Sequence, residues 1–214
     1  MLITLLTQNP KLFIAYLTAL IVAITIHEFS HALAADSFGD PTARNQGRLS
    51  MNPFDHLDPV GTIFLLIAGF GWGKPVQFDA SNFKNPKFDE VVVSLAGPFS
   101  NLILAILFTL LIRFFHFSDS INVFFFIIII MNLTLMTFNL LPIPPLDGSH
   151  ILKIFLPNAV YNLLEQLGLY FLIIIVLISS YVPIISMVIN FVVNIFFMIF
   201  GVNATNIWNL VGQG

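Results

Sequence analysis

Residues 12–35 read LFIAYLTALIVAITIHEFSHALAA, an apolar run with the pentapeptide His27-Glu28-Phe29-Ser30-His31 set inside it. A helix needs about 20 apolar residues to cross a bilayer, and this run is long enough. Wound as a helix, it puts His27 and His31 one turn apart on a single face, where both imidazoles can hold the same Zn²⁺. Glu28 falls to the side of that position, where a carboxylate can take a proton from water. Charged and metal-ligating groups in a spanning helix are costly because lipid offers them no water. The cluster therefore marks a functional site rather than a chance occurrence of the pattern.

The rest of the 214-residue chain suits that setting. It is 57% hydrophobic and only 9% charged, with a mean hydropathy of +0.94, which is the composition of a multi-pass membrane protein. The net charge of −3 comes without any basic run, so no nucleic-acid partner is expected. There is no cysteine, so any metal must be held by nitrogen and oxygen donors. The N-terminus has neither a basic leader region nor a clear small-residue cleavage site, and the first helix reads as a retained span. The 24 phenylalanines, with the isoleucines, read as lipid-facing and packing surface.

Four further apolar runs follow, at residues 95–115, 121–141, 163–180 and 184–202. The first is entered through Ala96-Gly97-Pro98. The second is broken by Pro142-Ile143-Pro144-Pro145, whose rings cannot continue a helix. The fold class is thus all-α, with about five transmembrane helices.

Residues 60–70 are apolar but about half the spanning length. If Asp147, just beyond the 121–141 run, is to meet His27 and His31, an even number of crossings must separate the two places. The runs at 95–115 and 121–141 supply two, so 60–70 is expected to be re-entrant or interfacial. Residues 36–92 then form one long loop carrying Arg44, Arg48, Lys74, Lys84 and Lys87, on the same side as Lys153, with Lys11 and Arg113 opposite. The excess of basic residues assigns that loop to the cytoplasm. Within it, Arg44 and Arg48 with Asp36 and Asp40 read as a solvated turn, while Asn132, inside a span, reads as a hydrogen-bonding link between helices.

A catalytic zinc site takes three protein ligands and leaves one position open. The extended pattern HExxHxxGxxH fails here, because its glycine and last histidine are Ala34 and Ser37. Asp36 sits at the helix end, and Asp55, His56 and Asp58 lie in a polar loop that would have to fold inward. Asp147 is the better candidate, following a proline-rich stretch and preceding Gly148. Irregular backbone at membrane depth is tolerated where it is buried in protein or lines a cavity. Two alternatives stand beside it: Asp147 caps a following helix at 149–156, or His150 is the ligand.

Three motifs in this order resemble the site-2 protease family of intramembrane zinc metalloproteases. They are HEFSH in the first span, Gly97-Pro98-Phe99-Ser100-Asn101 at the second, and the stretch from Asn139 to Gly148 ending the third. The resemblance covers roughly residues 25–150. It implies one Zn²⁺ per chain held by His27, His31 and Asp147, with Glu28 as general base. It also implies substrate-binding roles for Asn139 and Asn101, and a short membrane-associated β-hairpin at Gly71-Trp72-Gly73-Lys74-Pro75-Val76 that guides unwound substrate. The chain has no room for a PDZ insertion between its second and third spans and no C-terminal CBS domain, so it is similar to the compact bacterial members. The expected organisation is a single membrane-embedded protease domain over 1–214, with a catalytic core at about 12–156 and two additional helices at about 163–202. The partners implied are the lipid bilayer and membrane-spanning protein substrates, in the cell membrane with the site toward the cytoplasm.

Two other classes fit intramembrane His and Asp. A zinc-binding scaffold without activity would have no need of Glu28, which is not a ligand. A metal transporter requires a polar path to both faces, whereas the polar residues of these spans gather at one end.

Overall fold

The computed structural model of the chain describes residues 2–68, 71–179 and 181–202. The order of helices is α1 (Leu2–Gln8), α2 (Pro10–Ser37), α3 (Thr42–Asn45), α4 (Pro59–Ala68), α5 (Pro86–Phe114), α6 (Asp119–Asn139), α7 (Leu152–Phe155), α8 (Asn158–Ser179) and α9 (Ile184–Phe200). Among the described residues, α2, α5, α6 and α8 are long and apolar enough to cross a membrane. Helix α9 is apolar but has only 17 residues, and Ser180, the last residue of the fourth expected run, lies outside the described residues.

Helix α2 begins where Asn9 accepts a hydrogen bond from Leu12 N at 3.0 Å, with Pro10 in the first turn. Its buried residues Ala19, Ala23, His27, His31 and Ala35 recur every four positions and so form one narrow stripe. Alanine on that stripe lets neighbouring backbones come close, and α5 and α6 pack there. The apolar core lies deeper, where Phe126, Ile129 and Leu133 of α6 meet Ala105 of α5 and Val193, Phe196 and Phe197 of α9. Phe126 stacks on Phe197 with centroids 5.4 Å apart.

Helix α5 starts nine residues earlier than the 95–115 run and continues straight through Pro98. Its polar first turns hid it from a hydropathy reading, yet Asp89, Glu90, Val91, Val93 and Ser94 are all buried in the fold. Tertiary packing has extended the helix past its apolar stretch.

The doubtful segment 60–70 contains α4, ten residues and so about 15 Å long; residues 69 and 70 lie outside the described residues. The chain on either side of α4 is joined by an antiparallel bridge between Leu57 and Gly73, and Lys74 N donates to His56 O at 2.8 Å. The chain therefore enters and leaves this segment at one level. Helix α4 packs beside α1 and exposes Val60, Ile63, Phe64 and Ile67.

Two expectations are corrected in this region. No β-strand forms among the described residues, and the hairpin expected at 71–76 is reduced to that single bridge. The backbone groups a partner strand would have paired are taken elsewhere: Val76 N donates to Glu28 Oε2 at 3.0 Å, and Lys74 O accepts from the Arg48 guanidinium. Nor is the turn at 36–48 wholly solvated. Arg44 and Asp36 do form a surface pair, but Arg48 is 5% exposed and Asp40 is fully buried.

Asp40 is the hub that seats the strap 71–79 on the end of α2. It accepts from Thr42 Oγ1 at 2.6 Å, Asp79 N at 2.7 Å and Asn82 Nδ2 at 2.7 Å. Burial pushes its carboxyl upward, but the donors from Thr42, Asp79 and Asn82 outweigh this and hold it below the ordinary carboxylate value. A depressed carboxyl stabilises the fold above the unfolded pKa, near 4. That contribution fades as pH falls through the lower folded value. Asp40→Ala should lower stability by about 1–3 kcal/mol, because buried donors lose their acceptor. The check is the unfolding temperature of purified protein in detergent, where the gap between Asp40→Ala and wild type should narrow on acidification.

Candidate metal centre

The turn after α6 brings its acid back to α2. Residues 140–146 double over, and a Cβ built on Gly148 would come within 2.9 Å of Leu140 Cα, so only glycine permits the return. A 3₁₀ turn, Asp147–Ile151, follows and runs on into α7, so the helix expected at 149–156 is α-helical only over Leu152–Phe155. The cap of the turn, Leu146, has no side-chain hydrogen bond, and Asp147 does no capping. The Asp147 carboxylate instead faces α2.

Asp147 Oδ2 lies 3.1 Å from His27 Nε2 and 3.4 Å from His31 Nε2, and the two Nε2 atoms are 3.1 Å apart. Ligands held at about 2.0–2.1 Å around a tetrahedral zinc stand roughly 3.3–3.4 Å from one another, so the trio has the dimensions of one face of such a site. Asp147 Oδ2 is buried without a hydrogen-bond partner. An orphaned anionic oxygen between two imidazole nitrogens fits a cation among the three.

The other ring nitrogens are fixed from behind. His27 Nδ1 is 2.7 Å from Asn101 Oδ1 and His31 Nδ1 is 2.8 Å from Val93 O. Both partners are acceptors, so both Nδ1 atoms carry the proton and both Nε2 lone pairs are left for a metal. The sequence reading put Asn101 on the substrate. Its side chain is instead fully buried, with Nδ2 donating to Ala23 O at 3.1 Å and to Asn132 Oδ1 at 2.8 Å. Asn132 in turn donates to Ile128 O at 2.8 Å, and is the interhelical link its sequence position suggested.

Glu28 is half-buried and lines a cavity of about 160 Å³ together with His31, Asp147, Pro75, Val76 and Phe78. Asn139 does not line this cavity; its amide donates to Leu135 O in its own helix at 3.1 Å. His150, the rival ligand, turns its Nδ1 to Glu90 Oε1 at 3.0 Å. Of the other acids and histidines weighed, Asp36 pairs with Arg44, His56 donates to Ser50 O at 2.7 Å, and Asp58 caps α4 through Gly61 N at 2.7 Å.

Sequence reasoning missed the part played by Gly97. A Cβ there would lie 2.7 Å from His27 Nε2 and Cε1 and would also run into His31 Nε2. Only its place four residues before Asn101, on the same face of α5, hinted at this.

With the geometry in hand, comparison with known proteins is informative. The profile of Peptidase family M50 matches residues 15–121 and 115–180. The protein named "Putative zinc metalloprotease YwhC" of Bacillus subtilis is 47% identical over 160 residues, covering 71% of this chain and 73% of its own. Two proteins named "Putative zinc metalloprotease Rip2" match less closely. That of Mycolicibacterium smegmatis is 34% identical over 145 residues, and that of Mycobacterium tuberculosis strain H37Rv is 33% identical over 147. Each match covers 64% of this chain but only 55% of the mycobacterial protein, so the chain spans about half the length of these relatives. No solved structure matches.

Gly97→Ala should displace both imidazoles and strip the centre of zinc, seen as a fall in metal per chain by elemental analysis. Asn101→Ala frees the His27 ring and should weaken zinc by about 10–100-fold in a chelator competition.

Proposed function

The chain belongs to peptidase family M50, and from that premise we propose that it is an intramembrane zinc metallopeptidase hydrolysing peptide bonds in or near the spans of membrane proteins. The observation that carries this reading is the shared cavity. The carboxylate of Glu28, which is not a ligand, opens on the same space as His31 and Asp147. A scaffold or a transit site has no use for a base there.

His27, His31 and Asp147 would hold one zinc per chain, which when bound would supply a Lewis acid for the carbonyl and lower the pKa of water to about 7. Glu28 takes the proton from the attacking water. The bond from Val76 N to Glu28 Oε2 keeps the carboxylate aimed into the cavity. Asn101 and Val93 O orient the ligands, and Asn139, outside the cavity, has no part in this reading.

The whole of 1–214 is one protease domain, with its core at about 12–156 and two further helices at about 163–202. It crosses the cell membrane five times, α9 being the fifth, with the 36–92 loop and the site toward the cytoplasm. The substrates are membrane-spanning proteins whose helices unwind locally to expose a carbonyl.

Glu28→Gln should keep zinc yet cut cleavage of a membrane-spanning substrate by about 10²–10⁴-fold, while His31→Ala and Asp147→Ala should lose both. Purified Glu28→Gln cleaving at the wild-type rate would sink the reading. For orientation, single cysteines at Ser50 and Ser81 should both label from the cytoplasmic face; labelling of the two from opposite faces would refute the topology.

A further inference from the structure

Polar side chains at membrane depth have no water to bond, so the protein itself must satisfy them. The four asparagines of α5 and α6 find partners inside the chain. Asn101 and Asn132 are fully buried and bonded to each other, and the amides of Asn122 and Asn139 donate to Phe117 O and Leu135 O. Helix α9 carries two more, Asn190 and Asn194, and both are exposed. Among the described residues neither has a hydrogen-bond partner.

Helix α9 lies along the spanning helix α6, joined to it through Val193, Phe196 and Phe197. Val192 is the middle of its 17 residues, so Asn194 stands about 3 Å from the helix midpoint. Around it, Ile184, Met187, Phe191 and Met198 are all exposed, the last by 79%. Positions 184, 187, 191, 194 and 198 alternate steps of three and four, which is the seam along which paired helices interlock. Asn190 flanks that seam one turn before Asn194. A surface meant only for lipid accounts for the isoleucine, methionines and phenylalanine, but not for an amide among them. Turning back onto the carbonyl four residues earlier, as Asn132 and Asn139 do, would satisfy one N–H and leave Oδ1 bare. A neighbouring helix has to bring both a donor and an acceptor.

Two features select a second copy of this chain as that helix. A carboxamide both donates and accepts, so it is satisfied when the same residue stands opposite. All copies insert the same way round, so a two-fold axis along the membrane normal sets two α9 helices parallel, with position 194 facing position 194. A single asparagine in such a seam is a device that fixes register and a two-stranded state. We propose that α9 is a self-association surface, two copies pairing along Ile184, Met187, Phe191 and Met198 with Asn194 hydrogen-bonded to its counterpart. This rests on α9 crossing the membrane, as read above, and not on the chemistry of the site. No residue of α9 lines the cavity beside Glu28, so pairing leaves each copy its own metal centre.

The chain lacks cysteine, so single cysteines report contact between copies. In membranes of cells expressing the full chain, Met198→Cys should give a covalent dimer on oxidation with iodine. Ile103→Cys, 65% exposed on α5, should not. In detergent micelles, energy transfer between donor- and acceptor-labelled Ser50→Cys copies yields the dissociation constant. Asn194→Leu should raise it about 10-fold with zinc per chain unchanged. Asn194→Gln, which keeps donors and acceptor, should stay within a few-fold of wild type. If Asn194→Leu does not fold, Asn194→Ala decides in its place. A monomeric wild type, equal cross-linking at positions 103 and 198, cross-linking of Met198→Cys only to another protein, or a leucine variant that pairs as wild type does would overturn the interface. Val182→Cys and Val202→Cys should label from opposite faces with an impermeant reagent. Labelling from one face refutes the crossing and the interface together, whereas opposite faces without a dimer refute the interface alone.

Discussion

A side chain larger than hydrogen at position 97 would stand 2.7 Å from His27 Nε2, and the rest of the centre depends on its absence. Helix α5 has to come close enough to α2 for Asn101 and Val93 O to reach the back of the two imidazoles. A neutral imidazole in an apolar interior that finds no acceptor for its N–H loses much of what holds it in place. Close approach supplies those acceptors, and a glycine at the point of contact is what makes close approach possible. The alanines of the α2 stripe serve the same end further along the helix. The metal trio is thus as much a product of helix packing as of its ligands.

The second constraint is where the chain turns. His27 and His31 lie toward the C-terminal end of α2, and Asp147 follows the C-terminal end of α6. The two ends meet because α5 and α6 cross between them while α4 enters and leaves at one level. Asp58 caps α4 and the Leu57–Gly73 bridge closes the return, so backbone groups at depth are satisfied within the protein.

What the sequence disclosed followed from how local each signal is. The long apolar runs and the HEFSH spacing need only their own residues to be read, and the helices and paired imidazoles appear where those runs lie. Asp147 was singled out for a different reason: the proline-rich approach and Gly148 made it the better candidate, and parity took its meeting with the histidines as a premise. Asp40 and Arg48 were not legible, because a polar turn reads as solvated until something covers it, and what covers it is a strap about thirty residues on. Asn101 was assigned to substrate for a like reason. Its place in a motif said that it matters, but only the packing of α2 against α5 shows that it faces the back of His27. Glu90 lies in turns too polar to be taken for a spanning helix, and its partners are about sixty residues away.

The strap at 71–79 shows why the hairpin did not form. A strand needs its N–H and C=O groups free for a neighbouring strand. Here Lys74 N goes to His56 O, Lys74 O to Arg48, Val76 N to Glu28 and Asp79 N to Asp40, while Pro75 has no N–H to give. Among the side-chain partners, Glu28 does two jobs at once. It lines the cavity beside His31 and Asp147 and also holds the strap that roofs it. Cavity shape and base position are therefore a single constraint, since a carboxylate that swung away from Val76 would unseat the roof as it left the site. The base is kept in line by the backbone it supports.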